Sequence, residues 1–177
     1  MRVIVGQATL ELVHGDITRE ATDAIVNAAN EALRPGGGVD GAMTRAAGPA
    51  ALKARQALGS CPTGDARIGP GGDLAARHII YAVGPVYHDG RHGEADLLAS
   101  AYRRSLALCA EPGLDRVAFP AISTGIYGYP MAEAARVALT AIRDFLQQHD
   151  RPRLVRVVLF DAAALQTWTA ALNALVA

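Results

Sequence analysis

The chain is 177 residues long, 51% apolar and 19% charged. That composition excludes intrinsic disorder and fits one globular domain, residues 1–177, burying about two thirds of its unfolded surface. Lys plus Arg and Asp plus Glu both number 17, so no net field holds a polyanion or a membrane surface, and any phosphate must be bound by a shaped site.

Cys61 and Cys109 lack the spacing of a zinc site and are too few for a disulfide scaffold, so two free thiols are expected. Neither a signal-peptide core nor a run of about 20 apolar residues is present, and a soluble cytoplasmic protein with no membrane contact is expected. Short β-rich runs alternate with Ala- and Leu-rich stretches of helical period, the pattern of an α/β sheet. Strands are predicted over 2–5 and 9–14. The second leads into HGDIT (His14 to Thr18), where Asp16 either accepts from an exocyclic amine or caps a helix.

A strand over 24–27 then runs through Asn27 and Asn30 to Gly36, Gly37 and Gly38, with helices over 39–47 and 50–58. Glycines that allow close backbone approach, followed by the free N–H groups of a helix start, make a cradle for an anion. Alone, such a triplet is a flexible turn, and it matches neither the GxGxxG nor the GxxxxGK[ST] pattern.

A strand over 78–83 and a helix over 94–110 follow, then a strand over 116–120 that opens into FPAISTGIYGYP (Phe119 to Pro130). Backbone N–H groups and hydroxyls there could hold a diphosphate without Lys or Arg; the alternative is a surface turn. A helix over 131–149 carries an apolar stripe of Ala134, Val137, Ala138, Ile142, Phe145 and Leu146, read as core. A strand over 154–160 and a helix over 162–176 end the chain.

IIYAV, RVAFP and LVRVVLF are nearly continuous apolar runs, as strands covered on both faces should be. Open α/β sheets bind ligands beyond the carboxyl ends of their strands, which brings the two glycine loops to one crevice. The five histidines show no metal-ligand spacing, and Ser123 lies in STG and not in a GxSxG elbow. Neither a metal nor a serine nucleophile is expected.

Taken together, GDIT, AIVNAAN, GGGVDGAM, CPTGDARI, YAVGPV and FPAISTGIYGYP, in this order from about Leu12 to Phe160, resemble the macrodomain family. The likeness is to its MacroD-type branch, ADP-ribosyl hydrolases and O-acetyl-ADP-ribose deacetylases. It implies a three-layer α/β/α fold around a mixed, mainly parallel sheet. It also implies a monomeric enzyme without metal or cofactor, acting on ADP-ribosylated acidic residues of proteins or on O-acetyl-ADP-ribose, and on nucleic acid only if that is itself ADP-ribosylated.

By the same resemblance, Asp16 binds the adenine amine, Ile17 lines that pocket and Asn30 contacts the distal ribose, while Asn27 is structural. Gly38, Val39, Asp40, Gly41 and Met43 wrap the distal ribose and one phosphate. Ser123, Thr124, Gly125, Ile126 and Tyr127 hold the diphosphate, and Phe160 lies against the adenine with Asp161 nearby. Asp40, assisted by Asn30, orients or activates the hydrolytic water; the plainer role for Asp40 is an N-terminal cap.

Two departures stand out. Thr44 occupies a position where many relatives carry His, four residues after Asp40 and on the same helix face, and a hydroxyl cannot serve as a base there. IGPGGDL (Ile68 to Leu74) replaces a Thr- and aromatic-containing stretch. The runner-up function is a module that reads ADP-ribose without cleaving it. An RNA or phosphoester enzyme lacks the basic patch and stacking platform it would need.

Overall fold

The structure, a computed structural model, describes residues 1–177. Seven strands, β1 (Arg2–Val5), β2 (Ala8–His14), β3 (Ala24–Ala28), β4 (Ala66–Pro70), β5 (His78–Ala82), β6 (Arg116–Phe119) and β7 (Leu154–Leu159), form one sheet in the order β1-β2-β7-β6-β3-β5-β4. The five central strands are parallel; β1 and β4 pair antiparallel at the two edges.

Alternation along the apolar strands fills two separate cores. On one face Val26, Ile80, Val117, Phe119, Val155 and Val157 pack beneath α2 (Glu94–Ala110), α3 (Met131–Gln148) and α4 (Ala162–Val176). On the other, Ile25, Ile79, Tyr81, Ala118 and Val158 pack beneath α1 (Gly38–Ala57). The result is the expected three-layer α/β/α arrangement. The predicted stripe of α3 is buried throughout, and Cys61 and Cys109 are buried free thiols.

One strand escapes the sequence reading, and the helix-capping alternative for Asp16 is met. β4 was expected as loop because ARIGP ends in a proline and glycines follow it; as an edge strand it needs little beyond pairing with β5. A 3₁₀ helix (Ile17–Arg19) follows β2, with Asp16 as its N-cap.

The two helices expected over 39–47 and 50–58 are the halves of α1, broken at Gly48 (φ +83°, ψ −179°) and Pro49. This dihedral pair belongs essentially to glycine. A straight helix would set Asp40 and Arg55, 15 positions apart, about 22 Å from each other along its axis. The break folds the second half back, and their side chains meet.

Gly48→Ala should therefore lower the unfolding free energy by about 1–3 kcal/mol from the dihedral alone, with a further cost because the new methyl group would overlap the Asp73 carboxylate. Urea denaturation measures this. A variant as stable as the wild type would show that the break is not imposed by glycine.

Candidate ligand crevice and catalytic site

Beyond the carboxyl ends of neighbouring parallel strands lie Gly15 to Thr18 after β2, Phe160 after β7, Pro120 to Pro130 after β6, Ala29 to Gly37 after β3 and Val83 to Tyr87 after β5. These segments are tied to one another. His14 Nε2 lies 3.1 Å from the Phe160 carbonyl oxygen, and the Tyr87 N–H donates to the Tyr127 carbonyl at 2.9 Å. Ser123 (φ +69°) is buried against Gly84, where any side chain would overlap its hydroxyl.

Two stretches of this rim carry backbone N–H groups with no partner in the protein. In the loop after β6, the N–H groups of Ser123, Gly125, Ile126 and Tyr127 are free, while Thr124 is held by its hydroxyl on the Ala121 carbonyl (2.7 Å). At the start of α1, the N-cap Gly37 makes no side-chain cap, and the N–H groups of Gly37, Gly38, Val39 and Asp40 are free. Oriented amides of this kind bind anions through their dipoles and through the helix N-terminus. Neither Gly36 to Gly41 nor Phe119 to Pro130 contains a Lys or Arg.

Asp40 is the hub on the β3 side. It sits in the first turn of α1, is 5% exposed, and both its carboxylate oxygens are fully engaged. Oδ1 accepts from Asn27 Nδ2 (3.0 Å) and Arg55 Nη1 (2.6 Å), with Thr44 Oγ1 at 3.2 Å; Oδ2 accepts from Arg55 Nη2 (2.9 Å) and the Gly36 N–H (3.3 Å). Burial pushes the Asp40 carboxyl up, but the hydrogen bonds from Arg55 and Asn27, the Arg55 charge and the Thr44 hydroxyl outweigh it and hold it below the usual carboxylate range. The group is a dry, ionised carboxylate in a bidentate ion pair.

Other expected residues fall in distinct places. Asp16 is exposed at the rim, and its Oδ1 accepts from the Thr18 N–H (3.0 Å) and hydroxyl (2.7 Å), so it caps the 3₁₀ helix while Oδ2 stays open, 3.8 Å from Arg19. Ile17 is buried beside it, and Phe160 is 83% exposed. Asp161 N-caps α4 through the Ala164 N–H (2.7 Å). Asn30 clasps the Arg34 backbone with both ends of its amide (Nδ2 to O 2.8 Å, Oδ1 from N 3.0 Å), closing the turn that leads to the glycines.

One expectation is corrected. The Met43 side chain is buried in the core beneath α1, on the helix face it shares with Ala47 and Ala51, and does not face the crevice. Gly41 is required by its own loop: a methyl group there would stand 2.9 Å from the Gly36 carbonyl oxygen. At Gly125, which the resemblance places on the diphosphate, φ is ordinary and a side chain would meet open space. The fold itself does not demand glycine at that position.

Arg55 was missed. It is 2% exposed, forks Asp40 and lies with its guanidinium carbon 4.8 Å from the centre of the Tyr81 ring. The signal was present: Ala51 and Arg55 are four apart on the buried face of the helix, which puts a charged side chain in an apolar stripe. Asp89, His92 and Glu94 are the one grouping with metal-ligand atoms close together. Their lone pairs are spent on their own loop, however, with Glu94 accepting the N–H groups of His88, Asp89, Gly90 and His92.

Comparison with known proteins agrees with this geometry. The Macro domain family model matches residues 26–138. The chain is 53% identical over 156 residues to an O-acetyl-ADP-ribose deacetylase of Cronobacter sakazakii, covering 86% of this chain and 87% of that one. To a macro domain-containing protein of Xanthomonas axonopodis pv. citri it is 50% identical over 169 residues, covering 92% and 94%. Among solved structures, the Oceanobacillus iheyensis macrodomain with ADP superposes with a TM-score of 0.96 at 44% identity, over 99% of this chain and 96% of that one. The Trypanosoma brucei macrodomain in complex with ADP-ribose superposes at 0.86 and 37% identity, over 92% and 68%. The chain belongs to the Macro domain family.

Proposed function

We propose that this chain binds ADP-ribose and hydrolyses its esters, releasing it from modified Asp or Glu side chains of proteins or from O-acetyl-ADP-ribose. The observation that carries this reading is the pair of uncharged rims whose unpartnered N–H groups, at Gly37 to Asp40 and at Ser123 and Gly125 to Tyr127, border one crevice. A diphosphate satisfies such groups without a cation. The names and bound ligands of the relatives and neighbours point the same way.

In this reading the adenine lies between Phe160 and Ile17, with its amine on the open Oδ2 of Asp16. The loop after β6 holds the diphosphate, and the free lone pair and N–H of Asn30 take the distal ribose. Hydrolysis adds one water across the ester: a new bond forms from the water oxygen to the acyl or anomeric carbon, and the C–O bond breaks. The departing oxygen takes the proton, leaving ADP-ribose and a carboxylic acid. Asp40 orients that water from Oδ2 when the long Gly36 contact yields to it, and its ionised state suits the role.

The full occupancy of the Asp40 oxygens favours a second reading, a module that binds ADP-ribose and leaves it intact. Incubation with an auto-modified ADP-ribosyltransferase and with O-acetyl-ADP-ribose, following free ADP-ribose, separates the two. Release is expected; tight binding without release from either substrate would select the reader.

Asp16→Ala should weaken ADP-ribose binding by about 1.5–3 kcal/mol, the usual cost of a charge-assisted hydrogen bond, and calorimetry showing unchanged affinity would remove Asp16 from the site. Gly125→Glu places bulk and like charge beside the phosphates at a position where the fold tolerates a side chain. It should abolish binding while leaving thermal unfolding near wild type; normal affinity would put the diphosphate elsewhere.

Asp40→Asn should cut turnover by about 10²-fold or more with a much smaller loss of ADP-ribose affinity, because its task belongs to the transition state. Asp40→Ala is the harsher change. Leaving a buried Arg55 unpaired should cost about 3–5 kcal/mol of stability, so its fold must be checked beside its rate. Full turnover in the Asn variant would end the catalytic assignment.

A further inference from the structure

We propose that Arg55 is the positioning residue of this site, its guanidinium locking the Asp40 carboxylate and the Asn30–Arg34 turn into one rigid frame. The inference rests on the reading of Asp40 and Asn30 given above and extends it to a residue outside every motif of the sequence.

The geometry is specific. Nη1 and Nη2 of Arg55 meet the two oxygens of Asp40 at 2.6 and 2.9 Å. Nη2 also donates to the Arg34 carbonyl at 3.2 Å, the same oxygen that accepts from Asn30 Nδ2 at 2.8 Å. One planar group thereby joins both residues assigned to the distal ribose and the water. Nη1 has a further contact to Thr44 Oγ1 at 3.4 Å, and the Tyr81 ring backs the cation.

Stability does not account for this arrangement. A buried ion pair is commonly matched or exceeded by apolar side chains of the same volume. Here the burial also leaves Arg55 Nε and Asn27 Oδ1 without partners, beside a cavity of about 10 Å³ that both residues line. The pair further depends on the glycine break in α1, a costly feature in a helix. What the fork supplies is direction: it fixes the plane of the carboxylate, which a lysine ammonium, a point charge on a flexible stem, cannot do.

It also supplies a positive charge directly on the carboxylate. The ionisable groups facing Asp40 are Arg55 from the second half of α1, Tyr81 from β5 and Tyr127 from the loop after β6, with Glu31 facing Tyr127 in turn. Burial, followed by neighbouring carboxylates in the case of Tyr127, pushes both phenols up, so they stay neutral through the acid and neutral range. With Arg55 in place, Asp40 stays ionised below the usual carboxylate range and the hydrolytic rate should show no acid limb from it at pH 5 to 8, a window above the ordinary carboxylate pKa of about 4. Remove the cation and only the Asn27, Thr44 and Gly36 donors are left to oppose the burial that raises the carboxyl. Protonation then enters from the acid side, and rate is lost as pH falls.

The test compares wild type, Arg55→Gln and Arg55→Lys on O-acetyl-ADP-ribose across that pH range. It adds calorimetry with ADP-ribose and carbon-detected NMR titration of the Asp40 carboxyl. For Arg55→Gln the expected result is a kcat lower by about 10²-fold, as for misplaced catalytic groups, an acid limb absent from the wild type, an Asp40 titration moved to higher pH, and an ADP-ribose Kd within a few-fold of wild type.

Arg55→Lys keeps the charge without the fork. It should keep the flat pH profile and lose about 10-fold or more in kcat; this variant carries the test if the Gln protein does not fold. Wild-type kcat and pH profile in a folded Gln variant, or wild-type kcat in the Lys variant, would overturn the proposal. Should the wild type release nothing from any ester, the hydrolase reading fails by itself. The NMR titration then decides alone: a raised Asp40 titration in Arg55→Gln upholds the clamp, and an unmoved one overturns it.

Discussion

The site depends on placing a carboxylate and a guanidinium together out of water. Either ion alone in that position would cost several kcal/mol, so the arrangement survives only with both in place and with further donors around the carboxylate. Asn27 from β3, Gly36 from the glycine loop, Thr44 from the next turn of α1 and Arg55 from beyond the break all converge on Asp40. Each belongs to a different piece of backbone, and the carboxylate therefore sets where strand, loop and helix halves stand relative to one another. The glycine break at residue 48 is the backbone counterpart of the same constraint.

On the other side of the crevice the logic is different. The loop after β6 is uncharged, and the N–H groups of Ser123, Gly125, Ile126 and Tyr127 are unpartnered while Ser123 is held with positive φ, Thr124 is anchored on Ala121 and Tyr127 is tied to Tyr87. These constraints keep the amides from turning inward to each other. A chain with no net charge can thus offer a concentrated anion site without a basic surface, which limits non-specific attraction of polyanions. In the function proposed above, affinity comes from dipoles fixed in advance, and selectivity from the shape between the two rims.

Much of this was legible in the sequence. The continuous apolar runs IIYAV, RVAFP and LVRVVLF read directly as strands covered on both faces, and the burial of β5, β6 and β7 on both sides bears this out. The two glycine loops stood out together because both follow strands of an open α/β sheet, whose ligands bind beyond the carboxyl ends; alone, the glycine triplet reads as a flexible turn. Local reading failed where the decisive partner was remote or the contact tertiary. At Gly125 nothing in the fold demands glycine, and only a bound ligand could. Met43, the last residue of GGGVDGAM, turns inward because α1 must bury one face. Arg55 sits in an ordinary run, ALKARQAL, and only the break at Gly48, itself visible as a Gly-Pro pair, makes it a neighbour of Asp40. β4 escaped because an antiparallel edge strand has its partner elsewhere in the chain and needs no apolar alternation of its own.

The most direct test of the account is a high-resolution crystal structure of the complex with ADP-ribose. The diphosphate is expected on the N–H groups of Ser123 and Gly125 to Tyr127, the distal ribose against Asn30 and the α1 N-terminus, a water on Asp40 Oδ2, and the Arg55 fork on Asp40 intact. A nucleotide seated away from these amides, or an Arg55 side chain released from Asp40 on binding, would contradict it.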